Sequence, residues 1–213
     1  MTRLLVDGTG VAVRTWWANP SGCAARFQAA IRRAIPTAGA DVIVCWDCGP
    51  SWRRELFPSY KANRGPKPEG LLAALKECRR IYPGWEAEGF EADDVIGTLA
   101  QSASGVTLVL SDDKDLLQLV SPDVPAMGRC IVVDSRGAVY DRIAAVERRL
   151  SVPPHRIRHL LSWMGDTADG LPGVPGYGPV KAAKKALAGE IGNSLTFELT
   201  ELATVPREML RKL

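Results

Sequence analysis

Three short apolar runs, each closing on acid, constrain this chain most: Arg3-Leu-Leu-Val-Asp7, Asp41-Val-Ile-Val-Cys-Trp-Asp47, and Val106-Thr-Leu-Val-Leu followed by Ser111-Asp-Asp-Lys-Asp115. Near-continuous Val, Ile and Leu without polar alternation predicts strands covered on both faces, as in a parallel sheet between helices. Helical stripes fall between the runs: Phe27, Ile31 and Ile35 within 21–35, and Val95, Ile96, Leu99 and Ala100 within 91–103. Strand alternating with helix predicts an α/β fold with a mostly parallel central sheet. Such sheets bind ligands beyond the carboxyl ends of their strands. Asp7, Asp47, Asp113 and Asp115 are therefore expected on one rim.

The remainder changes character. The stretch from Arg129 to Asp141 predicts a hairpin turning at Ser135-Arg-Gly137. Helices then dominate: 141–150 with Asp141 as N-cap, and a helix opened by Pro153 and Pro154 that runs to Asp166. A Gly/Pro-rich hairpin over 170–179, a lysine-rich helix over 180–188 and a short helix after Pro206 complete it. This predicts an α/β core over 1–140 and a helical subdomain over 141–213, with a helix-hairpin-helix at about 155–188. Within the core, 57–90 stands apart. Leu71, Leu72, Leu75, Cys78 and Tyr82 recur at helical spacing beside Lys67, Lys76, Arg79 and Arg80.

At 213 residues, 46% hydrophobic and 24% charged, the chain can build a core without disulfides. A net charge of +3 is too small to imply nucleic acid, so the placement of charge must carry that inference. Five scattered cysteines with one C-x-x-C (Cys45, Cys48) fall short of a structural zinc set and fit a reduced, cytoplasmic protein. The C-x-x-C also resembles a redox motif, but Ser51 stands where a thioredoxin-like partner cysteine would be. The apolar start is too short for a signal peptide or a membrane span, so no membrane partner is expected.

Acids carry the chemistry. Glu91, Asp93 and Asp94 open a helix, and Asp166 and Asp169 precede the hairpin. One acid at a helix start is ordinarily a cap, and one at a strand end is ordinarily a loop residue. Convergence of many is different, since close carboxylates repel by ~4 kcal/mol per pair in a moderately screened site. They must protonate, separate or bind cations. Oxygen donors without cysteine or histidine favour Mg²⁺ or Mn²⁺. Two such ions, ~3.5–4 Å apart, activate water and stabilise a leaving oxygen in phosphodiester hydrolysis. The acids are thus read as a phosphoryl-transfer site requiring divalent metal.

Phosphate-binding elements accompany them. Gly170, Gly173, Gly176 and Gly178 precede a helix entered through Pro179 and carrying Lys181, Lys184 and Lys185. Glycines let the backbone approach a phosphate, and a helix N-terminus offers free N–H groups. That is the pattern of a hairpin that grips nucleic-acid backbone without reading sequence. Lys61 and Arg64, three apart, fit one phosphate, and Tyr60 is expected to stack on a base. Trp16 and Trp17 near the first acid, and Trp163 near Asp166, read as core or as stacking platforms. His155 and His159 lie four apart without a third ligand and read as surface residues.

Together these stretches resemble the 5′-nuclease superfamily: the 5′→3′ exonuclease domain of bacterial DNA polymerase I, phage 5′-exonucleases and flap endonucleases. The motifs are Leu-Leu-Val-Asp7-Gly, Trp46-Asp47, Tyr60-Lys-Ala-Asn-Arg64, Glu91-Ala-Asp-Asp94, Asp113-Lys-Asp115-Leu and Gly165-Asp-Thr-Ala-Asp-Gly-Leu-Pro-Gly-Val-Pro-Gly176. They keep the family's order from residue 4 to about 188.

The resemblance implies a PIN-like fold and structure-specific cleavage of DNA at a 5′ flap, nick or frayed end, with RNA/DNA hybrids also admitted. It implies two or more Mg²⁺ or Mn²⁺ ions, with K⁺ at the hairpin turn. Glu91, Asp93, Asp113 and Asp115 would hold the metal nearer the scissile phosphate. Asp7, Asp47 and Asp94 would join that cluster, Asp166 and Asp169 would lie on its outer side, and Asp112 would be a neighbour. Lys61 and Arg64 would contact the scissile phosphate. Residues 65–90 would form a short arch over the site, and Gly173, Gly176, Gly178 and the three lysines would bind duplex. Family domains commonly continue past the lysine helix, whereas this sequence stops at Leu213 and has no polymerase domain. A stand-alone, monomeric bacterial or phage-type enzyme is expected. Two other readings remain: a non-catalytic DNA-junction-binding module and a PIN-like ribonuclease.

Overall fold

The computed structural model describes residues 2–35, 39–121 and 128–213. Strand β1 (Thr2–Asp7) lies at the centre of a seven-stranded sheet. It pairs in parallel with β2 (Asp41–Cys45) on one side and β4 (Val106–Leu110) on the other. Short β3 (Trp85–Glu86) extends the sheet beyond β2, and β5 (Arg129–Val133) extends it in parallel beyond β4. Antiparallel strands close both edges: β6 (Val139–Tyr140) on β5 and β7 (Arg211–Lys212) on β3. The sheet is therefore mostly parallel, as the apolar runs predict.

Register explains the rim. Asp7 lies opposite Cys45, and Val6 opposite Leu110. The residues following β2 and β4 thus leave the sheet at the level of Asp7. β2 ends two residues earlier than the apolar run suggests. The last pairing there is the Trp46 N–H, which donates to the Trp85 carbonyl at 2.9 Å. Asp47 lies beyond the ladder.

Side chains of β1 alternate between two cores. Leu4 and Val6 join Val44, Leu108, Leu110, Phe27 and Ile31 on one face. Leu5 joins Cys45, Val109, Val95, Ile96, Val146, Ile157, Leu161 and Ala182 on the other. Helices α1 (Gly8–Ala18), α2 (Cys23–Ala34) and α4 (Leu71–Ile81) supply the first face; the one-turn α3 (Arg53–Leu56) precedes α4. Helices α5 (Ala92–Gln101), α6 (Ile143–Leu150), α7 (Ile157–Met164) and α8 (Pro179–Leu187) supply the second. Helices α6, α7 and α8 therefore share one core with the sheet. No described helix is long and apolar enough to cross a membrane.

Several elements differ from sequence expectation. α1 follows the first acid directly, and α9 (Ser194–Leu199) is capped by Asn193, whose Oδ1 accepts from Thr196 N at 2.9 Å. Neither is marked by the apolar pattern. Asp141 is not the cap of α6. Its carboxylate pairs with Arg129 and Arg142, and the helix starts at Ile143 after an uncapped Arg142. α4 does not stand free, because Leu71 and Cys78 are buried in the first core with Leu75 and Tyr82 packed against it. Leu72, on the opposite side, is exposed. Only the stretch before α4 is left to line an opening.

Candidate active site

Asp7 closes β1 and caps α1: its Oδ1 accepts from Gly10 N at 2.8 Å, and its Oδ2 from Ser111 Oγ at 2.8 Å. A Cβ at residue 10 would collide with that carboxylate, so glycine there leaves the Asp7 cap undisturbed. Asp47 is held from two sides. Its N–H donates to Thr9 Oγ1 at 3.1 Å, and its Oδ1 accepts from Ala92 N at 2.9 Å, at the start of α5. Ser111 also accepts from Asp113 N at 3.0 Å, and Asp113 Oδ1 accepts from Asp115 N at 2.9 Å. These contacts place Asp7, Asp47, Glu91, Asp93, Asp112 and Asp113 around one open cavity of about 660 Å³.

Cations latch the other acids. Lys61 Nζ donates to Glu91 Oε1 at 2.7 Å and lies 3.9 Å from Asp169. Arg64 pairs with Asp169. Lys114 pairs with Asp166 and lies 3.7 Å from Asp115. Lys61 reaches Glu91 from a left-handed backbone (φ 56°), anchored by its own N–H to the Asp169 carbonyl at 2.8 Å. Such a conformation is costly for a branched-Cβ or long side chain and persists only where the surroundings fix it. Lys61, Arg64, Asp47 and Glu91 also line a second cavity of about 760 Å³, which carries Arg54 and Lys67 as well. The two cavities share a wall and form one groove, acidic at one end and basic at the other.

Protonation follows from crowding. Burial, then Asp47, pushes the Asp7 carboxyl up to about 7. Burial, then Asp113, pushes Asp115 up to about 8. Burial, then Asp94, holds Asp93 well above the carboxylate range, and burial also raises Asp47. Glu91 goes the other way. Burial alone would raise it, but Lys61 and Arg53 outweigh burial and hold it low. Asp166 is likewise held low against burial, by Lys114.

Two predicted site residues have other roles. Asp94 is 0% exposed and takes both guanidinium nitrogens of Arg53, at 2.8 and 2.9 Å, plus Trp52 Nε1 at 3.1 Å. It also closes the capping box of α5. Its oxygens are spent inside the fold and do not line the groove. Tyr60 is 3% exposed, and its hydroxyl donates toward Glu91 at 2.9 Å and Asp169 at 3.2 Å. Its ring has no free face for a base; it positions acids instead.

The residue that sequence reasoning missed is Arg53. Only 2% exposed, it also donates to the Leu199 carbonyl at 2.8 Å and the Glu201 carbonyl at 2.7 Å, and reaches Glu91 at 3.3 Å. Ser111, Thr9 and Lys114 were missed as well; they partner Asp7, Asp47 and Asp166, which lie 104, 38 and 52 residues away. Cys45 is buried core, while Cys48 donates to Glu88 at 3.1 Å, so the C-x-x-C is not a paired site. His155 is exposed, but His159 is half-buried against Phe197, ring centroids 5.0 Å apart.

Downstream, α7 and α8 pack together around a glycine turn. Gly165, Gly170 and Gly176 have φ of 75°, 71° and 83°. A Cβ on Gly173 would strike the backbone of Met164 and Gly165, so that crossing needs glycine. Val174 N donates to the Trp163 carbonyl at 2.8 Å. Gly173, Gly176 and Gly178 line a shallow concavity at the start of α8, where Lys181 and Lys184 are exposed and Lys185 pairs with Glu190.

A sequence profile described as the 5′-3′ exonuclease, N-terminal resolvase-like domain, matches residues 2–148. The chain belongs to that 5′-3′ exonuclease family. It is 38% identical over 170 residues to DNA polymerase I of Rhizobium leguminosarum, covering 76% of this chain and 16% of that protein. It is 32% identical over 198 residues to flap endonuclease Xni of Shewanella oneidensis, covering 85% of this chain and 72% of that one. The chain thus spans a small part of the polymerase relatives and most of the flap endonuclease. A phage T5 5′-exonuclease structure with bound zinc shares the fold, with TM-score 0.75 and 21% identity over 94% of this chain and 84% of that one.

As a 5′-3′ exonuclease family member, the chain offers a donor set suited to hard divalent ions. The raised carboxyls of Asp7, Asp93 and Asp115 mark a site short of positive charge. Asp115 Oδ1 is buried without a hydrogen-bond partner. Among the described residues, no three His, Cys, Asp or Glu side chains are already gathered around one point closely enough for a metal ion. Lys61 and Lys114 instead supply the counter-charge to Glu91 and Asp166.

Proposed function

We propose that this chain is a structure-specific 5′-nuclease that hydrolyses phosphodiester bonds near the 5′ ends of flapped, nicked or frayed DNA. The observation that carries this is the single groove in which Asp7, Asp47 and Asp93, acids of raised pKa, share the lining with Lys61, Arg64 and Lys67. Acids alone would suit any hard cation. Acids beside basic side chains in one groove suit a cation and a phosphate together.

Glu91, Asp93, Asp113 and Asp115 would hold Mg²⁺ or Mn²⁺ nearest the scissile phosphate, with Asp7 and Asp47 completing the cluster and Asp166 and Asp169 outside it. When bound, the ions supply water that ionises near neutral pH and counter-charge for the leaving oxygen. Lys61, fixed by its backbone, donates to a non-bridging phosphate oxygen and neutralises charge that grows in the transition state. Arg64, more exposed, clamps the same phosphate and fixes its orientation. Tyr60 and Arg53 hold Glu91 in place. The glycine turn and α8, with Lys181, Lys184 and Lys185, would grip duplex backbone as a helix-hairpin-helix, with K⁺ at the turn. Catalysis is thus assigned mainly to 1–140 and duplex contact to 141–213, in a monomer.

Cleavage of a 5′-flap, a nicked duplex and a single strand, each with Mg²⁺ or with EDTA, tests the proposal. Flap cleavage that requires Mg²⁺ is expected. Binding without any cleavage, or cleavage unaffected by EDTA, would sink it.

A further inference from the structure

We infer that Trp17 is a stacking shelf for a nucleobase beside the scissile phosphate, which makes the enzyme sensitive to the base at that position. This rests on the nuclease reading above. Gly10, Val13, Arg14 and Trp17 fall on one face of α1, at the helical spacing that aligns side chains. That face lines the groove, while Val11, Ala12, Thr15 and Trp16 are buried in the core behind it.

Trp17 is 65% exposed and belongs to the wall shared by the acidic and basic chambers. Each of the other tryptophans has a place in the fold. Trp16 and Trp46 are buried, Trp85 packs on the core, Trp52 donates to Asp94, and Trp163 stacks on Tyr177 at 4.4 Å. Trp17 makes an edge contact with Trp16, at 5.1 Å and 80°, which steadies the ring and leaves most of it in water. A large aromatic surface left in water is unfavourable and has no use in the packing. Arg14 beside it is paired with Asp112 at 3.2 Å, so it does not cover the ring.

A phosphate held between Lys61 and the acids brings its nucleotide against this wall. With Tyr60 locked into hydrogen bonds, Trp17 is the exposed aromatic there. Stacking tolerates any base but favours the larger purine face.

The test uses a 5′-flap substrate in EDTA, with 2-aminopurine at the nucleotides flanking the scissile bond. Wild type and Trp17→Phe are expected to quench one of these positions, and Trp17→Ala is not. Trp17→Ala should weaken flap binding about tenfold, the loss expected for one stacked base. An abasic nucleotide at the quenched position should erase that difference. Equal quenching by Trp17→Ala, or equal weakening on the abasic flap, would overturn the inference. Circular dichroism of the variants confirms that they fold. Wild type with Mg²⁺ is assayed alongside: flap cleavage with unaltered quenching in Trp17→Ala sinks the shelf alone, whereas no binding and no cleavage by wild type removes both readings.

Discussion

Lys61 Nζ meets Glu91 Oε1 at 2.7 Å, and it does so from a backbone that a lysine seldom adopts. The ammonium therefore points into the groove by backbone geometry as well as by charge. It shields Glu91 and lowers its pKa against burial.

Lys61→Ala is expected to lower single-turnover cleavage about a hundredfold, with a smaller loss of DNA affinity. Lys61→Gly should cleave as poorly but unfold at higher denaturant, since glycine relieves about 1 kcal/mol of left-handed strain. Equal stability of the two variants would show that the φ of 56° costs nothing.

Divalent metal and pH should be linked. Asp7 and Asp115 keep their protons to about pH 7 and 8 in the folded chain, against an ordinary value of 3.8. The folded state then binds more protons than the unfolded state between about pH 4 and pH 8, so stability falls as pH rises through that window. Mg²⁺ offsets the repulsion only once those protons have left. The rise in melting temperature on adding Mg²⁺ should be larger near pH 8 than near pH 5. An equal rise at both would mean that these acids do not meet the ion.

Arg53→Met leaves Asp94 buried and unpaired, and should cost about 3–5 kcal/mol in urea unfolding. Arg53→Met combined with Asp94→Leu should regain most of it, because neither charge remains inside. A double variant no more stable than the single would assign the loss to the Leu199 and Glu201 carbonyls instead.

Tyr60→Phe separates stacking from positioning. The ring is kept and only the hydroxyl is lost, so a stacking residue would tolerate it. The hydrogen bonds to Glu91 and Asp169 predict a loss of cleavage rate of roughly fivefold, the worth of about 1 kcal/mol, with flap affinity unchanged.

The sheet and the acid rim were legible because both are local. Apolar runs announce buried strands, and Asp7, Asp47 and Asp113 follow from where those runs stop. What could not be read was partnership across long separations. Asp94 looks like its neighbours Glu91 and Asp93 in sequence, and only its pairing with Arg53, 41 residues away, removes it from the groove. Tyr60 has the composition of a stacking residue, and only the folded positions of Glu91 and Asp169 show its ring to be enclosed. β3 and β7 are two residues each, too short to carry any periodic signal. α1 was hidden by Gly8 and Gly10, whose presence there answers to close packing and to the Asp7 cap.

Arg53 fastens Glu91 and Asp94 to the carbonyls of Leu199 and Glu201, and Ala203 N completes Asp94 at 2.8 Å. The family profile ends at residue 148. A fragment cut there would contain most of the acids yet strand an arginine and an aspartate in its interior. The smallest portable unit of this site is therefore set by a hydrogen-bonded anchor near residue 200, in a segment that contributes no ligand of its own.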